Sequence, residues 1–166
     1  TYDCGAVIYK KPELAKEALS QHGSYLDIFQ DEGAIGFNPS DYQVQLTRKL
    51  RGLSLWFSLA MHGTETYRKA VEIGLDLAQK AKELIDENPN LEMVREPGLS
   101  CVLFRRKGWK PEDYYQWTYK NHKENIALVT PTKWQQGNEL ETVARFCFIN
   151  PDTTEEDLKV IFETMN

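Results

Sequence analysis

From Thr64 to Glu87 an apolar or small residue returns every three or four positions: Tyr67, Ala70, Val71, Gly74, Leu77, Ala78, Ala81, Leu84 and Ile85. That spacing follows the 3.6-residue helical turn and predicts one long amphipathic helix, ended by Asn88-Pro89-Asn90. A helix this long needs a surface on which to lay its stripe. The segments Leu91 to Arg95, Ser100 to Arg105, Ile126 to Thr130 and Thr142 to Ile149 read as strands, with Pro97-Gly98 turning a hairpin between the first two. Pro111 to Asn121 reads as a helix whose apolar side holds Tyr114, Tyr115, Trp117 and Thr118. Pro151 to Asp157 announces a last helix, capped by Thr153 with Glu156 and burying Leu158, Ile161, Phe162 and Met165. Strand, strand, helix, strand, strand, helix after long helices predicts an α+β domain. Its small, mostly antiparallel sheet carries helices on one face.

Upstream the pattern differs. Cys4 to Lys10 reads as a strand, and Pro12 opens a short helix with Leu14, Ala15, Ala18 and Leu19 on one face. Gln21 to Ser40 has four Gly or Pro residues and neither periodicity, so it reads as a long loop, functional or mobile. Asp41 to His62 reads as a helix apolar on a broad face (Val44, Leu46, Leu50, Leu53, Leu55, Trp56, Leu59, Ala60), ended by Gly63, with Thr64 capping the next. The chain opens at Thr1, with no methionine, in what reads as a strand under way. The expectation is that it belongs to something longer.

The net charge of -5 argues against nucleic acid or an anionic membrane surface as partner, and no apolar run approaches the roughly 20 residues of a membrane span. Thr1 to Lys11 has no signal-peptide pattern. Cys4, Cys101 and Cys147 show no Cys-x-x-Cys spacing and sit among apolar neighbours, so buried, reduced thiols in a cytoplasmic protein are expected and no metal site is.

Chemistry is sparse in the residues themselves. The chain has no phosphate-binding glycine loop, no His-Glu-x-x-His and no nucleophile elbow. His62 and His122 sit where helices end, a position that suits a cation; His22, in the long loop, is the histidine placed to touch a ligand. The aromatic segment Trp109 to Tyr119 has helical spacing and reads as core rather than as a stacking platform. Arg145 stands out within Val143 to Ile149. Strand alternation puts it on a face with Val143, Cys147 and Ile149, where a guanidinium needs a partner: an internal carboxylate or a bound ligand.

Three stretches together resemble the group II pyridoxal-phosphate decarboxylases, which act on glutamate, aromatic amino acids and diaminobutyrate. They are Tyr2-Asp3-Cys4-Gly5-Ala6-Val7, then Thr47 to Phe57 (Thr-Arg-Lys-Leu-Arg-Gly-Leu-Ser-Leu-Trp-Phe) with Gly63 and the long helix behind it, and Arg145-Phe146 ahead of Asn150-Pro151. The resemblance runs from Tyr2 to about Phe162. It implies a fold-type I enzyme, with residues 1–41 the tail of the large cofactor domain and 42–166 the C-terminal small domain with its connecting helices. It also implies an obligate homodimer holding pyridoxal 5'-phosphate on a lysine just upstream of Thr1, so that this chain alone lacks the Schiff-base lysine and is inactive. Arg145 matches the arginine that receives the carboxylate of the amino-acid substrate. Tyr42 resembles the mobile-loop tyrosine that protonates the intermediate, although a tyrosine filling the core reads equally well there. Thr47 and Arg48 match a position near the cofactor and the dimer interface, with a surface ion pair as the alternative for Arg48. Two other functions stay open: a non-catalytic binding or dimerisation domain, and a related carbon–carbon lyase.

Overall fold

The structure, a computed structural model, describes residues 4–20 and 38–166. Two compact units divide the chain, Thr1–His62 and Gly63–Asn166.

In the first unit, helix α1 (Pro12–Leu19) starts on its proline and buries Ala15, while Leu14 stays exposed. A 3-10 turn follows at Pro39–Tyr42, capped by the Asn38 side chain, which accepts from the Ser40 N–H at 3.2 Å. Asp41 ties that turn to α1 through Lys16 at 3.9 Å and Ser20 at 3.5 Å. The Tyr9 hydroxyl donates to the Tyr42 carbonyl at 3.0 Å. Helix α2 (Gly52–His62) closes the unit.

Two expectations fail here for one reason. Cys4 to Lys10 is not a strand, and helix does not extend over 41–51. Val7 and Ile8 are 74% and 93% exposed, and Val44 and Leu50 are 76% and 75% exposed. A strand needs a ladder partner and an amphipathic helix needs a surface; among the described residues these segments meet neither. The broad apolar face expected to be buried on α2 is likewise open, since no residue of that helix is buried. Of the long loop, 21–37 and His22 lie outside the described residues.

The second unit follows the sequence more closely. Helix α3 (Thr64–Glu87) has the predicted bounds and buries Gly74, Leu77, Ala78, Ala81 and Ile85. Its N-cap is Gly63, with φ 78°, rather than Thr64. Strands β1 (Leu91–Met93), β2 (Cys101–Arg106), β3 (Thr130–Gln136) and β4 (Glu139–Cys147) form one wholly antiparallel sheet in the order β1-β2-β4-β3. Helix α4 (Pro111–Lys123) buries Tyr114, Trp117 and Asn121, leaving Tyr115 exposed. Helix α5 (Glu155–Glu163) buries Leu158, Ile161 and Phe162. All three helices pack on one face of the sheet, around Phe104, Phe146 and Phe162, whose ring centroids lie 4.9–5.5 Å apart.

Three details depart from the sequence reading. The third strand runs 130–136 instead of 126–130 and pairs with β4 across Gly137-Asn138. Pro131 and five polar residues hide its character, but β3 is an edge strand, where proline is tolerated. The capping box of α5 is Thr154 with Asp157, one residue later than Thr153 with Glu156: the Thr154 Oγ1 accepts from the Asp157 N–H at 3.2 Å, and the Asp157 carboxylate accepts from the Thr154 N–H at 2.8 Å. Cys101 and Cys147 are exposed, not buried, because alternation turns them to the face of the sheet without helices.

Candidate functional site

The expected site residues fall in both units. In the first, Ser40, Asp41, Gln43 and Leu46 to Gly52 line a hollow of about 1110 Å³ together with Cys4 to Val7, Asn38 and Pro39. Thr47 and Arg48 are both on its wall and exposed. Tyr42 ends the 3-10 turn next to the lining residues Asp41 and Gln43, half-buried, and is not itself on the wall. Lys49 and Arg51 are further cations lining the same space. They stand beside Arg48 in the sequence, and that charge run was the available signal for them.

Pyridoxal phosphate makes several demands: cations and hydroxyls at the phosphate, a ring to stack on, a carboxylate at the pyridine nitrogen and a lysine at the aldehyde. Arg48, Lys49 and Arg51 with the Thr47 and Ser40 hydroxyls suit an anion. No aromatic side chain is among the described lining residues. The one carboxylate among the described lining residues, Asp41, is already engaged by Lys16, Asn38 and Ser20. The described residues fit the phosphate end of the cofactor and do not fit its ring.

In the second unit, Arg145 lies two residues before the end of β4, flanked in register by Leu103 on β2 and Thr130 on β3. Its Nη2 donates to the Thr130 Oγ1 at 3.0 Å, and the residue is exposed. Among the described residues the partner of this guanidinium is a neutral hydroxyl, not a carboxylate, and Arg145 is exposed although Val143 on the same face is buried. Five donors and one bonded hydroxyl leave capacity for an incoming carboxylate. The register that sets Thr130 beside Arg145 is not legible in the sequence, because the polar composition of β3 hides the strand.

Arg105 is the contrasting arginine of the same face. Its Nε donates to Glu141 Oε2 at 2.8 Å, its Nη2 pairs with Glu141 Oε1, and its Nη1 meets Glu92 at 3.3 Å. The Arg105 hydrogen bonds hold the Glu141 carboxyl below the usual carboxylate range, against a smaller opposing effect of burial. This arginine is engaged by carboxylates of its own sheet, whereas Arg145 donates to a hydroxyl.

Residues 1–107 match the pyridoxal-dependent decarboxylase conserved domain. The chain belongs to that family. It is 32% identical over 111 residues to an aromatic-L-amino-acid decarboxylase of Rattus norvegicus, covering 64% of this chain and 22% of the relative. It is 25% identical over 169 aligned positions to an aromatic-L-amino-acid decarboxylase of Bacillus atrophaeus, covering 95% and 33%. Among solved structures it resembles Oryza sativa TDC with PLP and tryptamine, at TM-score 0.69 and 19% identity over 90% of this chain and 33% of that one. Catharanthus roseus tryptophan decarboxylase in complex with L-tryptophan gives TM-score 0.66 and 19% identity, over 94% and 31%. The family chain described here thus spans about a third or less of the relatives it matches.

Proposed function

We propose that this chain is the C-terminal portion of a pyridoxal-phosphate-dependent decarboxylase that releases carbon dioxide from an L-amino acid, aromatic ones first among the candidates. Residues 1–41 end its large domain and 42–166 form its small domain. The observation that carries the reading, beside family membership, is Arg145: an exposed guanidinium on an inner strand whose hydrogen-bond partner among the described residues is a neutral hydroxyl.

Two parallel N–H donors from Arg145 would take the substrate carboxylate and fix the orientation of the bond to be broken. Thr130 sets the guanidinium in place from the neighbouring strand. Thr47 and Arg48 serve the phosphate end of the cofactor near the dimer interface, supported by the cationic hollow they line. Tyr42 holds the proton returned to the substrate carbon, on a turn anchored to α1 through Asp41. The bound cofactor supplies the electron sink. Its lysine is contributed by a part of the enzyme outside this chain, and the 166 residues alone are inactive. The enzyme works in the cytoplasm as a homodimer.

A second reading, a non-catalytic dimerisation domain, is favoured by α2, where Leu53, Trp56 and Phe57 are 51%, 63% and 58% exposed. Carbon dioxide release by the full-length enzyme, loaded with cofactor and given a panel of L-amino acids, separates the two. Turnover on at least one amino acid supports the decarboxylase; cofactor binding with no turnover on any supports the second reading.

A further inference from the structure

Cys101 and Cys147 face each other across β2 and β4 as register partners, both exposed, with their Sγ atoms 3.7 Å apart. Phe148 N–H donates to the Ser100 carbonyl at 2.9 Å, one step along the ladder. Hydrogen-bonded and non-bonded pairs alternate in an antiparallel ladder, so Cys101 and Cys147 form a non-bonded pair, with Cα atoms about 4.5 Å apart. That separation lies within the roughly 4.4–6.8 Å that a disulfide spans. Both side chains leave the sheet on the same side, so rotation about their Cα–Cβ bonds closes the remaining distance without moving the strands. The third cysteine, Cys4, belongs to the other unit.

We propose that Cys101 and Cys147 are a dithiol modification site for small-molecule disulfides, which convert the pair reversibly into a cross-strand bond. One cysteine, as thiolate, attacks a sulfur of the small disulfide and expels one small thiol, leaving a mixed disulfide. The second cysteine then attacks the protein sulfur of that adduct and expels the other small thiol. Two protein thiols are oxidised, one small disulfide is reduced to two thiols, and the two cysteine protons pass to the leaving sulfurs. The second step is intramolecular between neighbouring groups, so the adduct does not accumulate. Burial first, and then the hydrogen bond shared with Cys147, push the Cys101 thiol up, while Arg145 and Arg95 draw it back toward the thiolate. An exposed bond of this kind stays open to reduction.

The test is to incubate the chain with oxidised glutathione, block free thiols by alkylation and map peptides without reductant. The expected result is a joined Cys101–Cys147 peptide in material of monomer mobility, with two of the three thiols lost together and recovered with dithiothreitol. Cys147→Ser should then hold a stable glutathione adduct on Cys101 and give no joined peptide. The proposal is overturned if the native chain keeps both thiols free, carries a separate adduct on each, or joins them only between chains or only after unfolding in urea.

Discussion

Arg105 and Arg145 occupy the same face of one sheet and differ in what holds them. Arg105 is clasped by Glu141 and Glu92, and it holds the Glu141 carboxyl below its ordinary value. A carboxyl whose folded pKa lies below its unfolded one stabilises the fold above the unfolded value, and that contribution is lost as pH falls through the folded one. Glu141→Gln should therefore flatten the acid limb of stability, measured as urea midpoint against pH. An acid limb as steep as in the parent chain would show that the pair contributes nothing. The sequence singled out Arg145 as a charge in an apolar run, but not Arg105, because the cross-strand carboxylates become visible only with the register.

Elements that were legible are those whose pattern is repeated many times. Nine positions agree on α3, and its bounds follow the spacing. The cap of α5 is a single local choice between Thr153 and Thr154, and the acidic run after them satisfies both, so the pattern alone cannot separate them. Thr154→Ala should lower stability by about 1 kcal/mol, read by denaturant unfolding, with Thr153→Ala near neutral. Gly74 has a further role in α3. A Cβ there would stand 2.8 Å from the Phe148 carbonyl oxygen and 3.3 Å from the Ser100 Cβ, so helix and sheet meet backbone to backbone at that point. Gly74→Ala is expected to destabilise by about 1–3 kcal/mol despite alanine's better helix propensity; an unchanged or raised urea midpoint would show that the strand yields.

On the scale of the molecule, the second unit has a core of its own, and its α+β pattern could be read from the sequence. The first unit could not be read in this way. Its strand and the start of its long helix were expected from apolar residues that this chain leaves exposed, such as Ile8, Val44 and Leu50. Apolar runs are selected for the surfaces they meet, and periodicity does not say whether those surfaces lie in the same chain. The open side of α2 makes the same point. The 166-residue chain should self-associate through it, and Trp56→Glu should shift sedimentation toward monomer; equal sedimentation of both would exclude this face.

In the proposed function Arg145 receives the substrate carboxylate. The direct test is steady-state decarboxylation by the full-length enzyme carrying Arg145→Ala or Arg145→Lys, with thermal unfolding measured alongside. Loss of a charge-assisted contact worth about 2–5 kcal/mol predicts a fall in kcat/KM of roughly 30-fold or more for Arg145→Ala, partly restored by Arg145→Lys, with Tm little changed because the residue is exposed. Parent-like kcat/KM in Arg145→Ala, or a loss matched by a collapse in Tm, would contradict it.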